Sequence, residues 1–155
     1  MPLPEDFARE SLYAPEAWFV QDATLFPEEQ RLEATCDTTR LGPLVDAQRV
    51  WPGHDHHFPG AVAIQITGTL GQLYAVYMLD LRPTKGWIGF GTHIRDARFR
   101  KIGEIGPPVR CHARLESCRD FRGTLFTTFA FRFEQHGEEI YRSRQTAAWK
   151  QGSPD

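Results

Sequence analysis

Hydrophobic and polar positions along this chain fall into three regimes. Trp18 to Asp22 and Arg31 to Thr39 flank a Pro27-Glu28-Glu29 turn, and Leu32, Ala34 and Cys36 alternate with charged or polar residues. That alternation predicts two strands, the second half-buried. From Ala61 to Leu79, 19 residues carry no charge and show apolar side chains in every direction. This predicts one helix, from about Pro59 to Leu79, wrapped by other structure rather than laid on it. After Arg82-Pro83 the period of two returns. Trp87 to Ile94, Ala97 to Arg100, Val109 to Ser117, Thr124 to Glu134 and Glu138 to Trp149 read as strands, with a turn at Gln135-His136-Gly137-Glu138. Residues 1–16, with prolines at 2, 4 and 15, read as an arm or short helix, and Gly42 to Gly53 as a loop. Two strands, one central helix and a run of antiparallel strands fit an α+β domain in which a sheet curls round one buried helix.

Two features of this pattern admit more than packing. Phe129, Phe131 and Phe133 form a core stripe, although an acyl chain would favour the same wall. Gly68, Gly71 and Ala75 share a helix face, which predicts close packing, with ligand contact as the alternative.

The chain of 155 residues fits a single domain spanning 1–155. A net charge of -2 and a pI near 6.3 leave no electrostatic footprint for nucleic acid or an anionic membrane. Cys36, Cys111 and Cys118 have no C-x-x-C spacing and cannot all pair, so small buried thiols in a reducing compartment are expected. The opening Met-Pro-Leu-Pro-Glu-Asp has no basic start or apolar stretch, which predicts a cytoplasmic protein. The uncharged run contains Gln65, Thr67, Thr69 and Gln72 and lacks evenly placed flanking belts, so it reads as a buried helix rather than a membrane span.

The chemistry concentrates in His54-Asp55-His56-His57-Phe58-Pro59-Gly60. Proline suits a first helical turn, so this cluster sets imidazoles at the positive end of a buried helix dipole. Such a place can hold and deprotonate a polarised carbonyl compound. Adjacent histidines with Asp55 could instead ligate zinc, but no second cluster supplies a distant ligand. His93, His112 and His136 are scattered and read as surface or structural residues.

His57-Phe58-Pro59-Gly60 resembles the His-Phe-Pro-Gly signature of the β-hydroxyacyl-ACP dehydratases of fatty-acid synthesis, members of the hotdog-fold superfamily. Gly68 to Tyr77, with Gln72 inside it, is similar to the family's central-helix segment. Asp96-Ala97-Arg98-Phe99-Arg100-Lys101 resembles the strand that follows. The likeness runs from Trp18 to Trp149. It implies a hotdog fold, a homodimer or higher homo-oligomer with each site between subunits, and an acyl-CoA or acyl-carrier-protein thioester as substrate. It implies no further cofactor and no nucleic-acid or membrane partner.

The family pairs its histidine with a Glu or Asp on the central helix, and this chain has neither. Alternative registers set that position at Gln65, Gly68 or Gly71. The loop before the helix is also shorter, so His54 competes with His57 as the histidine's counterpart.

Dehydrating a 3-hydroxyacyl thioester needs a base for the C2 proton, an acid for the departing hydroxyl and donors for the thioester oxygen. His57, or His54, suits the base, and the N–H groups around Gly60 and Ala61 suit the oxygen. Asp55 or a second histidine could supply the acid, while Gln65 would contact substrate in its place. Phe58, Pro59, Gly60, Ala61 and Gly68 would line the acyl thioester. Arg98 and Arg100, with Lys101, are either a solvated edge or the dock for a phosphopantetheine or an acidic carrier. Thioester hydrolysis, or acyl-thioester binding without turnover, are the alternative activities.

Overall fold

The computed structural model describes residues 1–152, so residues 153–155 of the expected domain lie outside the described residues. A short helix α1 (Phe7–Glu10) is followed by the hairpin β1 (Asp22–Phe26) and β2 (Arg31–Cys36), then by α2 (Pro43–Asp46), β3 (His57–Phe58) and the central helix α3 (Gly60–Met78). The strands β4 (Trp87–Phe99), β5 (Gly103–Glu104), β6 (Val109–Phe121), β7 (Thr124–Gln135) and β8 (Glu138–Gln151) complete the order. Six of them form an antiparallel sheet in the order β1-β2-β6-β7-β8-β4, and β3 pairs with β5 apart from it. The long hairpins turn on Arg122-Gly123 and His136-Gly137, each with φ positive at both residues. Two-residue turns of that form match the right-handed twist of the strands they join.

The sheet curls round α3. From Thr69 to Val76 every helix residue is buried, as expected of a helix apolar on all sides. Phe129, Phe131 and Phe133 point inward from β7 and are buried, with Phe129 meeting Tyr74 edge-on at 5.3 Å. Burying each such side chain contributes about 1.5–3 kcal/mol. Nearer its start the helix leaves Ala61, Ile64 and Gly68 exposed along one stripe. Beside that stripe runs β4, the sheet edge, with Ile94 49% and Phe99 56% exposed. Among the described residues no helix is long and apolar enough to cross a membrane.

Several boundaries differ from those read in the sequence. Trp18 to Asp22 is not a strand. Trp18 packs on Phe7 at 4.8 Å and its indole N–H bonds Ser11 Oγ and the Tyr13 carbonyl, while Phe19 turns to a φ of 61° and delays β1 to Asp22. Inside Gly42 to Gly53, Pro43 opens the short helix α2. The two strands read at Trp87 to Ile94 and Ala97 to Arg100 are one, β4, whose pairing with β8 shifts register between Gly91 and His93 and between Arg95 and Arg98. Gly68 makes no tight contact, since a Cβ there would meet nothing within 4 Å. Cys36 and Cys111 are buried, but Cys118 is exposed.

The arm is fastened to α3 by two devices. Gln72 donates from Nε2 to the Glu10 carbonyl and accepts from the Leu12 N–H and Ser11 Oγ. Glu10, 5% exposed, accepts from the Thr84 hydroxyl at 2.6 Å, the Thr84 N–H and Arg82. Burial favours its neutral form, yet these donors hold its carboxyl below the ordinary value.

Candidate functional site

Two hollows border the exposed stripe of α3. The first lies at the helix start, about 340 Å³ in volume, between His57, Phe58 and Gly60 on one side and Phe99, Arg100 and Lys101 on the other. The local chain is tightly constrained. Phe58 is buried and pairs with Gly103, where a Cβ would sit 2.8 Å from that of Phe58. Pro59 caps the helix with its carbonyl, which accepts from the Val62 and Ala63 N–H groups. Among the described residues nothing accepts from the N–H groups of Gly60 and Ala61, at the positive end of a 19-residue helix. Gly60 lets the Phe99 ring approach the helix start, because a Cβ would meet that ring at 2.9 Å.

His57 is held by a residue the sequence reading passed over. The Gln48 carboxamide accepts from the His57 N–H at 2.8 Å and donates to the His57 carbonyl at 3.0 Å, gripping the backbone on both sides. The Gln48 carbonyl also lies 2.9 Å from His56 Nε2. His54 is exposed, its ring 5.0 Å from that of His57. Asp55 is exposed and brings only its carbonyl close, 3.4 Å from His57 Nδ1.

The second hollow is a cavity of about 370 Å³ between the middle of α3, the arm and strands β4, β7 and β8. All three positions to which the helix acid could align, Gln65, Gly68 and Gly71, line it. Phe129, Phe131 and Trp149 supply an apolar wall. Gly89 keeps that wall in place, since a Cβ would lie 2.3 Å from the Trp149 ring lying against it. Among the described residues no Asp, Glu, His, Lys, Arg or Cys lines the cavity. Gln65 donates from Nε2 to the Ala17 carbonyl at 3.2 Å.

Within one chain His57, Phe58, Gly60 and Arg100 thus gather at the helix start, whereas Gln65 and Gly68 belong to the cavity. Eight helical residues from Gly60 to Gly68 separate the two by about 12 Å. Arg100 also pairs with Glu139 at 2.8 Å. Arg98 lies away from both hollows, on the outer face of the sheet beside Arg142 and Glu139. Among the described residues no three His, Cys, Asp or Glu side chains gather as a metal site.

No protein-family model and no curated protein matches this sequence at a significant level. Solved structures do. A thioesterase from Haemophilus influenzae superposes with a TM-score of 0.64 at 17% identity, covering 97% of this chain and 92% of that one. A thioesterase from Pseudomonas aeruginosa, solved as a point mutant, gives 0.63 at 16%, covering 94% and 90%. The dehydratase heterocomplex ApeI:P from Xenorhabdus doucetiae gives 0.64 at 14%, covering 99% and 93%. The chain has the hotdog fold, an antiparallel sheet round a central helix, and the likeness to these thioesterases and to a dehydratase is one of architecture.

Proposed function

We propose that the protein is an acyl-thioester enzyme that interconverts 3-hydroxyacyl and enoyl thioesters, working as a homodimer in which His57 of one copy serves the cavity of the other. The observation that carries this reading is the division of the parts. A histidine and two helix-end N–H groups occupy one hollow, a cavity walled by Phe129, Phe131 and Trp149 with no Asp, Glu, His, Lys, Arg or Cys among the described residues occupies another, and both border the same uncovered face. That face joins Ala61, Ile64 and Gly68 to a 13-residue edge strand with exposed apolar residues, and an uncovered edge of this kind invites pairing with another strand. A second copy laid along β4 would cover it.

In this scheme the acyl chain lies in the cavity and the thioester oxygen accepts from the Gly60 and Ala61 N–H groups, which stabilise it as enolate character develops. His57, its backbone gripped by Gln48, takes the C2 proton on a ring nitrogen. The C2 electron pair forms the double bond as the C3–O bond breaks, and the imidazolium returns its proton to the departing hydroxyl, which leaves as water. Gln65 would steady the hydroxyl or water. His54 is the reserve base, and Asp55 the alternative proton donor. Arg100, beside His57, would meet the phosphates of CoA or of a carrier-bound pantetheine, with Arg98 at the periphery of that dock.

Hydrolysis of the thioester is a second reading, and one observation favours it. With no carboxylate among the described residues that line the cavity, a reaction that needs only an activated water is the less demanding, and two of the structural neighbours are thioesterases.

The experiment follows enoyl absorbance and free-thiol release together on mixing the protein with trans-2-enoyl thioesters, beside His57→Ala and His54→Ala. Loss of enoyl absorbance without thiol, abolished in His57→Ala, is the expected result. Thiol release identifies a thioesterase, and saturable binding with neither signal identifies a binder.

A further inference from the structure

Tyr141, Ser143 and Gln145 occupy successive inward positions of β8, among the aromatic side chains of the core. Polar side chains on that face must be satisfied, and these form a directed chain. Tyr141 Oη lies 2.6 Å from Ser143 Oγ and donates to it. Gln145 Nε2 donates to Thr67 Oγ1 at 2.7 Å and lies 3.2 Å from Ser143 Oγ. Thr67 Oγ1 gives its own proton to the Ile64 carbonyl at 2.5 Å, so toward Gln145 it can only accept. This fixes which end of the carboxamide is which. Turned over, Oε1 would lie 2.7 Å from Thr67 Oγ1, which has no proton to offer it, and would keep only the longer contact of 3.2 Å with Ser143 Oγ.

The Gln145 Oε1 atom consequently receives no hydrogen bond from the described residues. It is not sealed in either, since among the described residues no buried side-chain oxygen or nitrogen lacks a partner. Gln145 itself lines the cavity beside Phe129 and Trp149. Gln65 behaves alike, its Nε2 committed to the Ala17 carbonyl and its oxygen left over. Of the three glutamines that line the cavity, Gln72 is engaged at both ends with the arm, so the free polar atoms of Gln65 and Gln145 are acceptors, set beside the apolar side chains of Phe129, Phe131 and Trp149.

We infer that Gln145 is a specificity-determining residue that accepts a hydrogen bond from a hydroxyl on the bound chain, so that the cavity selects hydroxylated acyl groups over unsubstituted and keto ones. This rests on the proposal that the cavity holds an acyl chain. A hydroxyl supplies the proton that Oε1 lacks. A methylene leaves a fixed acceptor dry, and a ketone sets two acceptors face to face. Neither Gln145 nor Thr67 has a proton to transfer, so the role is positioning and discrimination.

The test is calorimetric titration of the full chain with decanoyl-CoA, 3-hydroxydecanoyl-CoA, 10-hydroxydecanoyl-CoA and 3-oxodecanoyl-CoA, in a His57→Ala background that suppresses turnover. One hydrogen bond corresponds to a preference of about fivefold for a hydroxylated isomer over the decanoyl thioester, and a larger one over the keto form. Gln145→Met should abolish that preference while binding decanoyl-CoA at least as tightly. Thr67→Val, which removes the acceptor pinning Nε2 at nearly constant shape, should reduce it, and Thr67→Ser should restore it. Melting curves on each variant identify one that fails to fold, in which case the Thr67 pair carries the test. Binding of all four thioesters without preference for either hydroxylated isomer overturns this inference and leaves the acyl cavity standing. So does a preference that survives both Gln145→Met and Thr67→Val. Failure of every thioester to bind overturns both readings.

Discussion

Installing the absent carboxylate is the sharpest perturbation this site allows, and the structure selects where. Of the three positions to which the helix acid could align, Gly71 is buried with its Cβ direction 3.9 Å from Phe129, and Gln65 is tied to Ala17. Gly68 is exposed, lines the cavity, and would carry a Cβ with nothing within 4 Å. A glycine inside a helix costs about 1 kcal/mol relative to alanine, and glutamate is nearly as good a helix former. Gly68→Glu should therefore stabilise the fold by about 0.5–1 kcal/mol and raise Tm by a few degrees for a chain of this size. A well-positioned general acid contributes about 10²–10⁴-fold. Because the new side chain is not preorganised, an increase of about tenfold or more in hydration of an enoyl thioester is expected. Gly68→Gln is the control, with the same helix gain and shape but no proton. The added rate should fall as pH rises through the glutamate pKa, which an apolar wall displaces upward from about 4.3. Equal rates in the Glu and Gln variants, with both folded, would refute the assignment of the acid position. A Tm several degrees below the parent, measured at a dilution where the protein is monomeric, would refute the claim that Gly68 faces open space within one chain.

Three further outcomes follow from the same geometry. Arg82→Met removes the cation facing Glu10 and Asp6, and, since Arg82 is itself partly exposed, it should cost about 2–3 kcal/mol and some 5–10 °C of Tm at pH 7. Glu10 is held below its ordinary value of 4.5, so its contribution is complete above that pH and is lost as pH falls through the folded value. The cost of Arg82→Met should shrink in melts at pH 3.5, and a cost independent of pH would contradict the ion-pair account. Gly89→Ala drives a methyl group into the Trp149 ring; overpacking of this kind costs about 1–3 kcal/mol, and decanoyl-CoA binding should weaken with it. Ile94→Asp, on the edge strand, should leave the fold intact and shift sedimentation from dimer to monomer, with catalysis lost in parallel.

What the sequence disclosed follows from how local each signal was. The helix start at Pro59-Gly60 and the starts of the strands from Val109 onward are written in local spacing and turn chemistry, and the hairpin at His136-Gly137 needs no distant partner. The early boundaries are not local. Trp18 reads as a strand residue until Phe7, Ser11 and Tyr13 are known to hold it. The residues round the chemistry were only partly legible for the same reason. His57 stands out by its neighbours, but Gln48 meets it across a loop, and nothing in its surroundings marks it. Gly89 looks like a weak strand residue until Trp149 is seen against it. Gln145 did leave a trace, since Tyr141, Ser143 and Gln145 make the inward face of the last strand polar where a core strand should be apolar.

The central claim is that an acyl chain fills the cavity beside Gly68, and chain-length dependence tests it most directly. Each buried methylene contributes about 0.8 kcal/mol, close to fourfold in affinity. Titration with acyl-CoAs of increasing length should tighten Kd stepwise until the 370 Å³ is occupied. Gly68→Phe, which fills the space, should flatten the series while leaving the shortest thioester nearly unaffected. A wild-type Kd independent of chain length, or a series unchanged by Gly68→Phe, would contradict the account.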